Sequence, residues 1–145
     1  ETGEFVCSLA TYDLRFNMNM TSAPVPREVD EFPIGGLTAA PSRLVKPPRV
    51  KESPAAFECR HWKTIDLPPL EPGRPSTYSV VFGEVVGVYI DDAFVKDGMV
   101  DTGAMRPIAR LGYMEYGVLN PENVFSIERP TAEEAMAKLK VRAAE

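Results

Sequence analysis

Phe82-Gly-Glu-Val-Val-Gly-Val-Tyr-Ile-Asp-Asp92 is the stretch from which the architecture can be read. Extended back to Tyr78, it is apolar on both faces, as expected of a strand buried on both sides in a barrel wall or a subunit core. Gly83 and Gly87 fall on one face and permit bending or close approach by another backbone or a ring. Immediately upstream, Ala55 to Leu67 alternates, with Phe57, Cys59 and Ile65 on one side and Glu58, Arg60 and Thr64 on the other. Between the two segments, Glu71-Pro72-Gly73-Arg74 has Pro and Gly where a type II turn needs a preset φ and a positive φ. The pair therefore predicts two long antiparallel strands.

Working outward, Glu4 to Thr11 is short and β-rich and predicts another strand. Asp13 can cap a helix in which Leu14, Phe16, Met18 and Met20 run up to Thr21-Ser22, before Pro24 and Pro26 stop it. From 24 to 54 prolines recur so often that long ladders are excluded, because each lacks the N–H that a central strand needs. This Pro-rich segment is read as an ordered excursion over the sheet, or over a partner subunit. Downstream, Lys96-Asp97-Gly98 marks a turn, Ala109-Arg110-Leu111-Gly112 a compact corner, and Val124 to Pro130 a short strand. Thr131-Ala-Glu-Glu134 forms a capping box that opens a helix over 131–145, with Ala132, Ala135, Met136 and Leu139 as its docking stripe. Lys138, Lys140 and Arg142 suit the negative end of its dipole. The whole pattern predicts a mainly β chain with minor helix.

The chain has 145 residues, 44% of them hydrophobic, enough for one domain spanning 1–145. A formal charge of −5 argues against nucleic acid, whose phosphates are held by clustered Lys and Arg. The densest basic run, Arg43, Lys46, Arg49 and Lys51, is broken by prolines and reads as a solvated loop, with an anion-binding strip as the other reading. Two cysteines, Cys7 and Cys59, with one histidine make no structural zinc set. Both lie in apolar segments, so free thiols in a reducing, cytoplasmic setting are expected rather than a disulfide. No apolar run is long enough to span a bilayer.

The usual catalytic constellations are missing: there is no dinucleotide fingerprint, phosphate loop or nucleophile elbow, and no catalytic residue is assigned. Asp91, Asp92 and Asp97 lack calcium-loop spacing and read as turn carboxylates. His61 is expected half-buried and hydrogen-bonded, Trp62 at a subunit contact or stacked on an aromatic ligand. Glu84 interrupts an apolar row and must be paired, solvated or shifted in pKa; an ion pair with Arg110 or Arg106 is expected. Arg110, beside Gly112 and Tyr113, offers a planar donor fork next to an aromatic ring, suited to a carbonyl-rich planar ligand. The same Arg can equally pin its own turn to neighbouring carbonyls.

In order and spacing these segments resemble the flavin reductase-like, FMN-binding split-barrel family. The resemblance rests on Glu1 to Thr11, Asn17 to Ser22, Asp30-Glu-Phe to Gly36-Leu-Thr38, Glu52-Ser-Pro to Cys59, the Phe82 strand, the Ala-Arg-Leu-Gly corner and Arg129-Pro130. It implies an antiparallel, Greek-key split β-barrel with a C-terminal helix, a homodimer with FMN near the subunit boundary, and oxidoreductase chemistry carried by the flavin. NAD(P)H is the implied co-substrate of such a flavin reductase. A non-catalytic flavin-binding or interaction module is the alternative. By position in the family's motifs, Arg110, Gly112, Tyr116, Thr21 and Ser22 are the expected flavin contacts. Some reductases of this class carry Gly-Asp-His before the equivalent of the Tyr78 strand, where this chain reads Ser76-Thr77-Tyr78. Against the family, Glu1-Thr-Gly-Glu-Phe-Val6 resembles the middle of the domain, so the stretch 1–145 is expected to be a flavin reductase-like domain lacking its opening strands, which in the family carry most of the flavin phosphate contacts.

Overall fold

A computed structural model describes residues 2–69, 71, 73–75 and 78–142, with the backbone alone at 138 and 140–142. Pro72 of the predicted turn, Ser76 and Thr77, the basic side chains Lys138, Lys140 and Arg142, and the end of the expected 131–145 helix lie outside the described residues or side chains. In chain order the elements are β1 (Glu4–Ser8), α1 (Arg15–Met20), α2 (Glu31–Gly35), β2 (Ala39–Ala40), β3 (Arg49–Val50), β4 (Ala55–Asp66), β5 (Ser79–Ile90), β6 (Val95–Lys96), β7 (Met99–Val100), α3 (Thr102–Met105), β8 (Ile108–Arg110), β9 (Tyr116–Val118) and α4 (Ala132–Arg142). Single 3₁₀ turns at Asp92–Phe94 and Pro121–Asn123 complete the set. The chain is mainly β with short helices, and every pairing of its named strands is antiparallel.

The two long strands form as the alternation predicts. β4 and β5 pair from Ala55↔Ile90 to Asp66↔Ser79, and β1 joins the outer side of β4 in the order β1-β4-β5. Gly73 takes φ +85°, and the Arg74 N–H reaches the Glu71 carbonyl at 3.3 Å, as a tight reversal requires. Two register shifts break the ladder, one between Glu58 and Cys59 and one between His61 and Lys63. The second inserts Trp62 as an extra residue, so the side-chain alternation slips by one. Ile65, opposite Val80, therefore lies on the other face from Phe57 and Cys59, which corrects the single-face assignment. Asp97 and Gly98, both at positive φ, make the β6–β7 turn.

The Pro-rich excursion is ordered and lies across one face of the three-stranded sheet. Its fastener is Glu58, a carboxylate only 4% exposed, which accepts the backbone N–H of Arg43 at 2.9 Å and of Leu44 at 2.6 Å. The Leu44 side chain then packs where Gly87 leaves room. Further ties run from Val50 N–H to Ser8 Oγ and from Lys46 N–H to Glu4 Oε2. The hydroxyl of Ser53, 2% exposed, sits 2.9 Å from the carbonyls of both Leu9 and Ala55. Ala40, Val45, Ala56, Cys59 and Met105 are buried hydrophobic residues among those described.

Other sequence expectations are overturned. Asp13 does not cap α1: its N-cap is Leu14, without a side-chain bond, and Asp13 faces Arg106 Nη1 at 3.5 Å. Val124 to Pro130 is extended but unpaired among the described residues, because no neighbouring strand offers it a ladder; Phe125 and Ile127 are exposed. In α4 the capping box forms, with Thr131 N–H to Glu134 Oε2 at 2.7 Å and Glu134 N–H to Thr131 Oγ1 at 3.2 Å, but Met136 and Leu139 remain exposed rather than docked. β5, expected to be buried on both sides, presents Val81, Phe82, Val85 and Val88 to solvent. The chain exposes 11715 Å², well over the roughly 7,400 Å² of a compact protein of its mass.

Candidate functional site

The corner predicted from Ala109 to Gly112 is the tip of the β8–β9 hairpin, in which Ile108 faces Val118, Ala109 faces Gly117 and Arg110 faces Tyr116. The tip closes through Leu111 N–H to the Glu115 carbonyl at 3.0 Å and Glu115 N–H to the Gly112 carbonyl at 3.1 Å. Its left-handed residue is Tyr113, at φ +57°. Holding a non-glycine residue there costs on the order of 1–2 kcal/mol, which the surrounding bonds must offset. A Cβ built on Gly112 meets nothing within 4 Å, so that side of the tip is open.

Arg110 supplies the main support. Its Nη1 donates to Tyr116 Oη at 2.9 Å, its Nη2 donates to the Tyr113 carbonyl, and its Cζ lies 4.9 Å from the centre of the Tyr116 ring. The guanidinium thus pins its own turn, as one of the two sequence readings held. It uses two of its five N–H donors to do so. The others make no hydrogen bond among the described residues, so a fixed, partly unspent donor fork faces outward beside an exposed phenol.

Next to Tyr116 a hollow of about 220 Å³ opens between α1 and the hairpin, walled by Tyr12, Arg15, Phe16, Met18, Ile108 and Val118 among others. The Arg15 guanidinium stacks on Tyr12 at 3.8 Å and on Phe16 at 4.4 Å while donating to the Tyr12 carbonyl at 2.6 Å. Arg106, left-handed at φ +52°, stacks on the same Tyr12 at 4.3 Å. Sequence reasoning missed this group. The spacing of Tyr12, Arg15 and Phe16 along one helical turn carried the signal, but Arg106 reaches them only through the bridge that pairs Thr11 with Pro107.

The predicted contacts fall into two places. Arg110, Gly112 and Tyr116 share the hairpin. Thr21 and Ser22 end α1, where Thr21 Oγ1 donates to the Met18 carbonyl at 2.8 Å and Ser22 Oγ to the Asn19 carbonyl at 2.7 Å. Thr21 lines a smaller hollow with Leu14, Leu37 and Val50, separated from the first by Met18. Glu84 pairs with neither Arg110 nor Arg106, whose donors go to Tyr116, Tyr113, Asn120 and Asp13; it is exposed and sits opposite Arg60. His61 is exposed rather than half-buried and bonds Thr64 Oγ1 at 2.8 Å. Trp62 is 73% exposed and meets Phe82 edge-on at 6.1 Å. Asp91 caps the turn at Ala93. Among the described residues no helix is long and apolar enough to cross a membrane.

A family model described as the flavin reductase like domain matches residues 1–109. A protein of Halalkalibacterium halodurans is 35% identical over 131 residues, covering 90% of this chain and 61% of its own length. Component B of a nitrilotriacetate monooxygenase from Bacillus cereus superposes with a TM-score of 0.76 at 26% identity, over 87% of this chain and 60% of that one. A flavin reductase-type split-barrel protein of Shewanella frigidimarina does so with a TM-score of 0.70 at 26% identity, over 91% and 62%. The chain therefore spans about three fifths of the length of these proteins.

Proposed function

The chain belongs to the flavin reductase-like domain family, and from that premise we propose that it is the FMN-binding part of a flavin reductase that uses NAD(P)H in a reducing, cytoplasmic setting. The observation that carries the reading is Arg110, held by Tyr116 and by the Tyr113 carbonyl with donors to spare. The residues present fit the ring end of such a cofactor. A planar carbonyl-rich ring can accept from the outward N–H groups of Arg110, rest against the Tyr116 phenol and approach closely at Gly112, where no atom fills the Cβ position. Thr21 and Ser22 have given their hydroxyl protons to backbone carbonyls, so they enter the proposal only as acceptors, for ribityl hydroxyls.

The flavin, once bound, supplies the hydride chemistry. The chain's own part is to orient the ring through a guanidinium that cannot rotate without breaking two bonds, and to keep water from one side with the apolar wall of the hollow. No acid–base pair is required of it, in keeping with the lack of catalytic constellations in the sequence.

We further propose a homodimer. The exposed apolar residues Val81, Val85 and Val88, which share one face of β5, support a partner here; a standard interface covers about 800 Å² on each side. Purified full-length protein should bind FMN, oxidise NADH or NADPH only when flavin is present, and sediment as a dimer. Flavin binding without nucleotide oxidation would contradict the reductase and leave a carrier, and an absence of flavin binding would contradict the reading altogether.

A further inference from the structure

Cys7 on β1 and Cys59 on β4 are diagonal neighbours across an antiparallel pair: Cys7 faces Phe57, and Cys59 faces Phe5. Such positions put both side chains on the same face of the sheet. The Cys59 thiol donates to the Phe57 carbonyl at 3.8 Å, and both cysteines are free thiols. They differ in access, since Cys7 is exposed and Cys59 is only 4% exposed. A diagonal pair stands somewhat wider than a disulfide allows, so bridging must draw one strand inward. β1 can make that shift. Among the described residues this five-residue strand pairs with β4 alone, and its movement leaves the β4–β5 ladder intact.

We propose that Cys7 and Cys59 form a redox-active dithiol that reduces low-molecular-weight disulfides and closes to a bridge between β1 and β4. The inference does not depend on flavin. Cys7 loses its proton to solvent, and its sulfur attacks one sulfur of the small disulfide; that bond breaks, and one thiolate leaves and takes up a proton. The resulting mixed disulfide places its Cys7 sulfur beside Cys59. Cys59 then loses its proton and bonds to that sulfur, expelling the second thiolate. Two protein thiols are oxidised by two electrons, and one disulfide is reduced to two thiols. Burial pushes the Cys59 thiol up, which fits it to the second step rather than the first.

The test treats reduced full-length protein with glutathione disulfide, quenches with acid, alkylates in denaturant and maps peptides by mass. The native protein should lose both alkylatable thiols, keep no glutathione and yield a peptide pair joined through Cys7 and Cys59. Cys59→Ser should stop with glutathione retained on Cys7, and Cys7→Ser should leave Cys59 free. Glutathione held on Cys7 of the unaltered protein with Cys59 still alkylatable, a cross-link found only between chains, or no reaction at either thiol would each overturn the proposal, and none of these readouts depends on a variant folding.

Discussion

Replacing Glu58 by Gln should release the Pro-rich excursion from the sheet without unmaking the sheet. The carboxylate accepts two backbone N–H groups, from Arg43 at 2.9 Å and Leu44 at 2.6 Å, at a site 4% exposed. Hydrogen bonds to a charged group are worth about 1.5–3 kcal/mol each. Glutamine keeps one acceptor oxygen and turns a donor toward the other N–H, so one charged bond is lost and the second becomes neutral, a cost of about 2–3 kcal/mol. If the excursion opens as a unit, amide exchange at Arg43 and Leu44 should speed up about 30- to 150-fold, while the β4–β5 amides keep their protection. The same group sets a pH dependence. The N–H groups of Arg43 and Leu44 hold its carboxyl below the ordinary 4.5 despite burial, which acts the other way. A depressed folded value means that the stabilisation is complete above 4.5 and is lost as pH falls through the lower folded value. In the unaltered protein the protection factors at Arg43 and Leu44, observed exchange set against the intrinsic rate at each pH, should therefore fall on acidification below pH 4.5, and in Glu58→Gln that fall should vanish. Unchanged exchange at these two amides, or an identical acid profile in the variant, would refute the reasoning.

Glycine positions give the next predictions. A Cβ on Gly83 would sit 2.4 Å from Phe5 Cζ and 3.2 Å from the Arg60 carbonyl oxygen, so Gly83→Ala must displace the Phe5 ring and should lower unfolding stability in urea by about 1–3 kcal/mol. Gly103→Ala meets backbone instead, the Pro121 Cα at 2.8 Å, and should cost at least as much in the same assay, about 2–3 kcal/mol. Gly112→Ala meets nothing and should leave urea stability within about 0.5 kcal/mol. If the tip admits a ring, however, the same variant should weaken FMN binding, as measured by flavin fluorescence.

Local patterns were legible wherever neighbours in sequence decide the outcome. The long strand that starts at Ala55, the turn at Gly73, the Lys96-Asp97-Gly98 reversal and the Thr131–Glu134 capping box all depend on residues a few positions apart, and all are found. The failures need partners far away. Trp62 slips out of the ladder by a register shift against Phe82 and Gly83, which single-strand periodicity cannot register, so the periodicity alone places Ile65 on the wrong face. Val124 to Pro130 has strand composition but no ladder to join. At the site, the pinning of the turn by Arg110 is legible from its neighbours, but its ring partner is Tyr116, across the hairpin, rather than the adjacent Tyr113, and the stacking of Arg106 on Tyr12 joins positions 94 residues apart. In sequence Glu58 is one more polar residue of an alternating strand; its role as fastener exists only once the excursion folds back over it.

The most direct test of the account is an FMN titration, followed by fluorescence quenching, of the full-length protein and of its Arg110→Ala variant under identical salt and pH. Loss of charge-assisted donors at the ring, about 1.5–3 kcal/mol, predicts binding weaker by about 10- to 100-fold, with circular dichroism little changed and unfolding stability in urea lowered by about 1–3 kcal/mol for the two bonds lost at the tip. Equal affinity in the two proteins would contradict the assignment of the β8–β9 tip as the flavin site.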